Sequence, residues 1–416
     1  MRPRPSLYCF NWPSHVGGAD TKFTHLLLLL HRHYDITVVP NRREQLLQLP
    51  WRKFLKRLGV CAAWLADLPK KLRGTALSLC NGEFFGGGLA CEAKARGLRV
   101  VWSSEMMWHH PGEIAAVACG LVDRVLYVSE VQRAALERGY GLKTVNGKAG
   151  ECVSEKGGVP LAHLPAHPLT VPWAITGNYI APEMFPFSER GRAADAPLVI
   201  GRLSRPDPAK FPADFPEFYE SLEETRFHAG GARTAFAGRA SLSSARRGEV
   251  QASSATPLRY PRGAVRTPRP TTTKFRVMAW SEEMTKVYAR HRFDARWDLL
   301  TKGAESQVKF LHSLDLFVYS LGPNFRESWG RSTVEAMLTG CVPLVPKGGG
   351  HHLENLVPHA EAGFLCAGPE DYREHVARLR ADVGLRKKLS HAARRHAEHE
   401  LCNRAEHLRV WREALG

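Results

Sequence analysis

The chain has little of what marks out specialised protein classes. Its nine cysteines include no C-x-x-C pair and no metal-ligand spacing. Odd in number and scattered, they exclude a zinc ribbon or a disulfide framework and read as reduced residues of a cytosolic protein. Long apolar segments are also missing. The leucine run Leu26–Leu30 stands between His25 and His31, far short of the roughly 20 apolar residues needed to span a bilayer. The basic start, Met1 to Pro5, has no apolar stretch behind it, so neither a signal peptide nor a transmembrane helix is expected. The expected location is cytoplasmic, with any membrane contact peripheral. No Asp-x-Asp follows an apolar strand, and no solenoid-type repeat is present. Acidic residues are the minority, 41 against 58 Lys and Arg, for a net charge of +17. That excess implies an anionic partner: a nucleotide, a phosphorylated acceptor, a lipid surface or a nucleic acid.

What is present is ordinary globular material. Hydrophobic residues make up 44% and charged residues 24% of 416, enough for sizeable cores and suited to two domains. Strand-like runs at Ser6–Phe10, Ile36–Val39, Ala76–Leu79, Arg99–Trp102 and Arg124–Val128 alternate with helix-like segments, the first from Gly17 to His31. This is the rhythm of a parallel sheet covered on both faces. After a breaker-rich loop, Tyr140 to about His167, Pro172–Tyr179 reads as one more strand, and Pro186–Ala196 as an interdomain linker.

A second α/β rhythm runs through Leu198–Gly201, Phe275–Trp280, Trp297–Thr301, Leu316–Ser320, Val342–Val345 and Gly363–Cys366. A long basic helical stretch from Leu385 closes the chain. The expected organisation is a first doubly wound domain over 1–190, a second over 196–395, and a closing helix over 396–416 that packs back on the first. Gly230–Thr273 fits neither rhythm. Rich in Ala, Arg, Ser, Thr and Pro, without a periodic apolar face, it reads as a disordered basic insertion.

Chemistry concentrates between Asp315 and Glu354. A strand leads into a loop bearing Glu327, and Gly330 then opens a helix carrying Glu335. The free N–H groups at Arg331 to Val334 suit a diphosphate, because a helix N-terminus carries partial positive charge. Glu335 is spaced to accept from two ribose hydroxyls, and Glu327 from hydroxyls of a transferred sugar. Two plainer readings stand beside these: Ser332-Thr333-Val334-Glu335 is a capping box, and Glu327 is a solvated loop residue.

The setting resembles the family-four retaining glycosyltransferases. Their paired glutamates, seven residues apart, match Glu327-Ser328-Trp329-Gly330-Arg331-Ser332-Thr333-Val334-Glu335-Ala-Met, after the strand Asp315-Leu-Phe-Val-Tyr-Ser. Gly340-Cys-Val-Pro-Leu-Val, Gly349-Gly350-His-His-Leu-Glu354 and Gly363-Phe-Leu follow in the family's order. Val199-Ile-Gly201-Arg202-Leu203 matches the strand whose Arg, with a Lys a few residues on, grips the donor diphosphate. Arg202 takes the first role by this resemblance. Lys210 takes the second at a longer gap than usual, with Arg205 as its competitor.

In the first half, Gly17-Gly18-Ala19-Asp20 resembles the family's glycine loop after the first strand, with Asp20 in place of its usual Glu. Asp123-Arg-Val-Leu-Tyr-Val-Ser129 also matches. Asn178-Tyr179-Ile180 with Phe185 does so with Ala181 where an Asp is expected. A sugar-contacting His falls at His109 or His110, with His109 preferred; His351 and His352 are further cleft candidates.

The resemblance implies a GT-B fold, in which two Rossmann-like domains face across a cleft. It implies a nucleotide-sugar donor and a saccharide, lipid-linked or other hydroxyl acceptor. It also implies retention of configuration and neither metal nor resident cofactor, with Arg202, Lys210, Glu327 and His109 as catalytic residues. Two rivals are a sugar phosphorylase of the same fold and a non-enzymatic binder of anions or nucleic acid. The basic insertion lacks a stacked aromatic pattern, so no specific nucleic acid is expected.

Overall fold

The computed structural model describes residues 3–14, 18–109, 112–141, 171–190, 196–223 and 273–416. Most of the insertion, nearly all of the loop after Tyr140, part of the linker, Gly17 and His110 lie outside the described residues.

The first sheet has seven parallel strands: β1 (Ser6–Cys9), β2 (Asp35–Val38), β3 (Cys61–Ala62), β4 (Thr75–Leu79), β5 (Arg99–Ser103), β6 (Arg124–Tyr127) and β7 (Trp173–Ile175). Their order is β3-β2-β1-β4-β5-β6-β7. The second has six: β8 (Val199–Leu203), β9 (Lys274–Met278), β10 (Trp297–Leu300), β11 (Leu316–Val318), β12 (Val342–Pro346) and β13 (Phe364–Cys366), ordered β10-β9-β8-β11-β12-β13. In both, the order reverses at the first strand, so β1/β4 and β8/β11 flank the switch points. A doubly wound sheet leaves a ligand crevice there, outside the carboxyl ends of its strands.

The strands are near-continuous apolar runs because helices cover both faces. Leu77 and Leu79 of β4 pack into one cluster and Ala76 into another; Phe317 and its neighbours Leu316 and Val318 divide likewise across the second sheet. Only β3 escaped the sequence reading. It is a two-residue edge strand, too short to show a pattern.

Three expectations change. The closing stretch is not one helix: Val383–His396 leads through a π-turn, Ala397–Leu401, to a break at Cys402-Asn403, where the Asn403 side chain caps a new helix, Arg404–Leu415. Trp411 and Leu415 of that helix are buried in the first sheet's core. Its last turn ends on Arg99 and Arg124, whose guanidinium groups both donate to Ala414 O, where cations suit the helix C-terminus. The linker is anchored at its start: Arg190, 3% exposed, donates to Leu311 O, His312 O and Thr339 O of the second half. Finally, Thr273 belongs with β9 rather than with the insertion. It is buried, its N–H donates to Glu223, and its hydroxyl accepts from Arg380.

All eight described cysteines are free thiols. Among the described residues no helix is long and apolar enough to cross a membrane, and no group of three His, Cys, Asp or Glu side chains is placed to hold a metal.

Candidate active site between the facing sheets

The carboxyl ends of the two sheets meet. Ser129, after β6, donates from Oγ to Ser328 O at 2.6 Å, and Ser328 returns a bond from its own Oγ to Glu105 O, after β5, at 2.9 Å. These two bonds tie the loop carrying Glu327 to the first half.

On the second sheet's side, Glu327 is the centre. Its Oε2 accepts from Lys210 Nζ at 2.9 Å and from Tyr319 Oη at 2.8 Å. The Lys210 and Glu327 side chains are only 9% and 14% exposed. Burial raises the Glu327 carboxyl, but the Lys210 charge and the two donated hydrogen bonds outweigh it, leaving the group below its ordinary value. Lys210 moves the opposite way: burial lowers it, Glu327 more than compensates, and it ends raised. Both groups are therefore charged at neutral pH.

Glu335 sits one turn into the helix Arg331–Leu338 and is 3% exposed. The capping-box reading fails, because the helix starts at Gly330 and has no side-chain cap. The Glu335 carboxylate instead accepts from Arg331 Nε at 2.7 Å and from Gln307 Nε2. Burial dominates here and raises its pKa, with Arg331 and Gln307 opposing. Gly330 has φ 96°, and a Cβ there would lie 2.3 Å from Leu353 Cδ2. Only glycine turns this loop into this helix. The first helical N–H groups lack intrahelical partners by position, and Thr333 Oγ1 is fully buried without a partner among the described residues.

The other expected site residues have the following surroundings. Arg202 is 0% exposed. Its guanidinium donates to Ser320 O at 2.6 Å and Lys210 O at 3.3 Å and lies 3.9 Å from the centroid of the Phe211 ring. It holds the backbone that presents Lys210. Arg205 is the partly exposed cation, 44% exposed and 5.9 Å from the Trp108 ring of the opposite domain. Trp329 is a core residue, 5% exposed. His109 faces inward: its ring packs by Trp102, with Nε2 3.4 Å from Leu136 O and Nδ1 4.0 Å from Glu113. Gly18 opens the helix Gly18–Leu30. Glu354 accepts from Gly348 N, holding the loop in which Gly348, Gly349 and Gly350 all have positive φ. His351 is 5% exposed and lowered by burial, and His352 is pushed down to about 4 by the same cause.

The first sheet adds an ion pair that sequence reasoning missed. Lys22 Nζ lies 2.7 Å from Glu105 Oε1, with the side chains 2% and 8% exposed, and Ser103 Oγ donates to the same oxygen at 2.8 Å. Burial lowers Lys22, and the nearby Arg331 charge of the other domain adds to that. No spacing links residues 83 positions apart. Tyr319 was legible only as part of an apolar strand.

No protein-family profile matches the chain, and no curated protein does. Solved structures match over the whole length. HepE of Anabaena, in complex with UDP and glucose, is 12% identical with a TM-score of 0.62, covering 99% of both chains. A glycosyltransferase of Rickettsia africae is 9% identical, TM-score 0.60, covering 100% of this chain and 99% of that one. Sucrose-phosphate synthase of Thermosynechococcus elongatus is 11% identical, TM-score 0.56, covering 99% of both. At such identities the likeness concerns the fold: the chain has the GT-B arrangement of two Rossmann-like domains facing across a cleft.

Proposed function

We propose that this chain is a retaining glycosyltransferase that takes its sugar from a nucleoside diphosphate donor and needs no metal. One observation carries the reading. A buried Lys210–Glu327–Tyr319 group stands at the β8/β11 switch point, beside a glycine-opened helix, and faces the other sheet. The helix N-terminus at Gly330 and the Lys210 ammonium receive the diphosphate, with Arg205 closing over it. Glu335 turns from Arg331 and Gln307 to the ribose hydroxyls, and Glu327 to hydroxyls of the sugar.

In the reaction, the anomeric carbon–oxygen bond to the diphosphate breaks and a bond from the acceptor hydroxyl oxygen forms on the same face. The acceptor proton passes to the departing phosphate oxygen. The diphosphate gains negative charge as the bond breaks, so Lys210 stabilises the transition state more than the ground state. Arg202 acts by fixing Lys210. Cationic side chains and helix N–H groups supply the charge a divalent ion would otherwise bring. The acceptor is a saccharide or a lipid-linked hydroxyl.

The HepE complex supports a UDP-hexose as the first donor to try. A thermal-shift panel of nucleoside diphosphates and their sugars identifies the donor, since a ligand bound to the native state raises stability by mass action. With that donor and a hydroxyl acceptor, nucleoside diphosphate is released and NMR finds the anomeric configuration unchanged, in the presence of EDTA. Sugar phosphate as product would favour a phosphorylase; an inverted product, or activity restored only by manganese, would overturn the mechanism.

A further inference from the structure

The first domain carries a surface that the proposed chemistry does not use. The turn Arg43–Leu47 leads into the helix Leu49–Arg57, which follows β2 on the domain's flank. Leu47 and Leu49 are 74% and 62% exposed. The other large apolar side chains exposed among the described residues, Trp108, Trp173 and Val287, stand far apart in sequence. Here two leucines flank a single residue, Gln48, whose Oε1 accepts from Trp12 Nε1 at 2.8 Å. Trp12 lies just beyond the carboxyl end of β1, so the bond fixes Gln48 and its exposed leucine neighbours to that end of the domain.

The helix then divides cleanly. Leu55 is buried and Trp51 and Phe54 pack on the core, while Arg52, Lys53, Lys56 and Arg57 are exposed and make no ion pair among the described residues. Arg42 and Arg43 are already paired with Glu83 and Asp67 and do not enter the count. Past Arg57 the face opens into a cavity of about 610 Å³ lined by Arg32, His31, His33 and Arg404, the last within 3.7 Å of Glu183. Unpaired cations beside outward leucines match a surface that is negative at its face and apolar just beneath. An acidic protein would explain the charge without the leucines. A second copy of this chain, itself at +17, would explain the leucines against the charge.

We infer that the flank formed by Leu47, Leu49 and the helix Leu49–Arg57 docks on an anionic lipid bilayer, the leucines entering the headgroup layer and the cleft mouth opening beside it. This goes beyond the transferase reading and does not depend on it.

Cosedimentation tests it with the full chain and two vesicle types: phosphatidylglycerol and phosphatidylcholine in equal parts, and phosphatidylcholine alone. The parent should pellet with the first and not the second, and added salt should release it. Each cation near such a surface contributes about a fivefold gain in partitioning. Reversal of Lys53 and Lys56 to Glu should therefore cut binding by at least about thirtyfold, and Leu47→Ser with Leu49→Ser by about tenfold. Both variants should keep the parent's melting temperature and nucleotide-induced thermal shift. Should one misfold, the other variant and the salt titration still decide. The assignment fails if the parent ignores anionic vesicles or the variants bind as the parent does. It also fails if the leucine variant merely dissolves a concentration-dependent dimer, which gives the face to a second copy. Vesicle binding without any nucleotide response would leave it standing and remove the transferase reading alone.

Discussion

The two halves present their strand ends to the same cleft with different chemistry. On the second sheet the polar groups are already coupled into compact charged sets: Lys210 with Glu327 and Tyr319, and Arg331 with Glu335 and Gln307. Behind them a wholly buried Arg202 braces the backbone. On the first sheet the loops are zipped by neutral amides. Asn11 bonds Leu79 through both its side-chain atoms, Asn81 reaches Phe10 O and pairs with Asn41, and Cys80 between them has φ 43°. A buried ion pair there, Lys22 with Glu105, lies among groups that touch the other domain. A fixed anionic leaving group needs fixed charge, held where water is scarce. The half meeting the second substrate needs a firm frame and few charges. The asymmetry follows from the proposed chemistry.

The largest effect belongs to Lys210. Removing a cation aimed at developing charge costs roughly a hundred- to a thousandfold in turnover. We expect Lys210→Ala to lower kcat by about that factor, while donor affinity from calorimetry falls no more than about tenfold. Equal losses in both quantities would mean that Lys210 only binds, and the contrast between the halves would be one of affinity rather than catalysis.

Arg202 comes next, with a different signature. Its truncation leaves the buried Ser320 carbonyl without a donor, at a cost of about 1–3 kcal/mol, removes one of the two bonds to Lys210 O, and empties space beside Phe211 and Tyr319. Arg202→Ala should therefore lower the ligand-free melting temperature of the second domain. Turnover should fall only as far as Lys210 is displaced. An unchanged melting temperature with donor affinity reduced would show the guanidinium swinging out to the ligand.

Within the second half the paired glutamates differ from each other, since their environments push them apart from a common 4.5. Glu327 is lowered in the folded chain. Its contribution to stability is present above about pH 4.5 and lost as pH falls through the folded value. Glu335 is raised. Its contribution is full below about pH 4.5 and lost as pH rises through the folded value. Urea midpoints across pH 3 to 7, followed by a second-domain signal, should thus change in opposite senses: Glu327→Gln flattens the acid limb, and Glu335→Gln removes a decline above pH 4.5. Glu335→Gln should also weaken donor binding by roughly ten- to a hundredfold, the loss of one charge-assisted hydrogen bond.

How much of this was legible depends on whether a residue acts through its neighbours in sequence. Twelve of the thirteen strands could be read, because a strand buried on both faces is a local apolar run and a turn residue bounds it. Glu327, Gly330 and Glu335 could be found as one spaced motif. Orientation could not. Nothing in Gly201-Arg202-Leu203 says that the guanidinium turns under its own loop, because that depends on Ser320 O, more than a hundred residues away. The inward packing of His109 could not be read either, since it depends on how the helices carrying Glu113 and Leu136 fold around it. Lys22 and Glu105 share no local pattern at all. Capping was misread because Ser332 resembles a cap, whereas the left-handed Gly330 had already started the helix.

The smallest effect is expected where the halves touch. Ser129 Oγ donates to Ser328 O, and Ser328 Oγ to Glu105 O. Both are neutral hydrogen bonds at a partly wet boundary, worth about 0.5–1.5 kcal/mol each. If they only decorate the contact, Ser129→Ala and Ser328→Ala should be additive and silent in catalysis, because water replaces each lost partner. If they set the angle at which Glu327 meets the first sheet, they share one bistable contact. The double variant should then lose less than the sum of the single ones. Donor affinity should hold, since the groups proposed to grip the diphosphate lie on the second half. The apparent KM for acceptor should rise by a few-fold, about 1 kcal/mol, since the closed state alone presents both substrates together. Scattering in solution should show the double variant more open without donor, and as closed as the parent at saturating donor. A double variant as closed as the parent in both states, with an unchanged acceptor KM, would leave the cleft held by apolar packing alone.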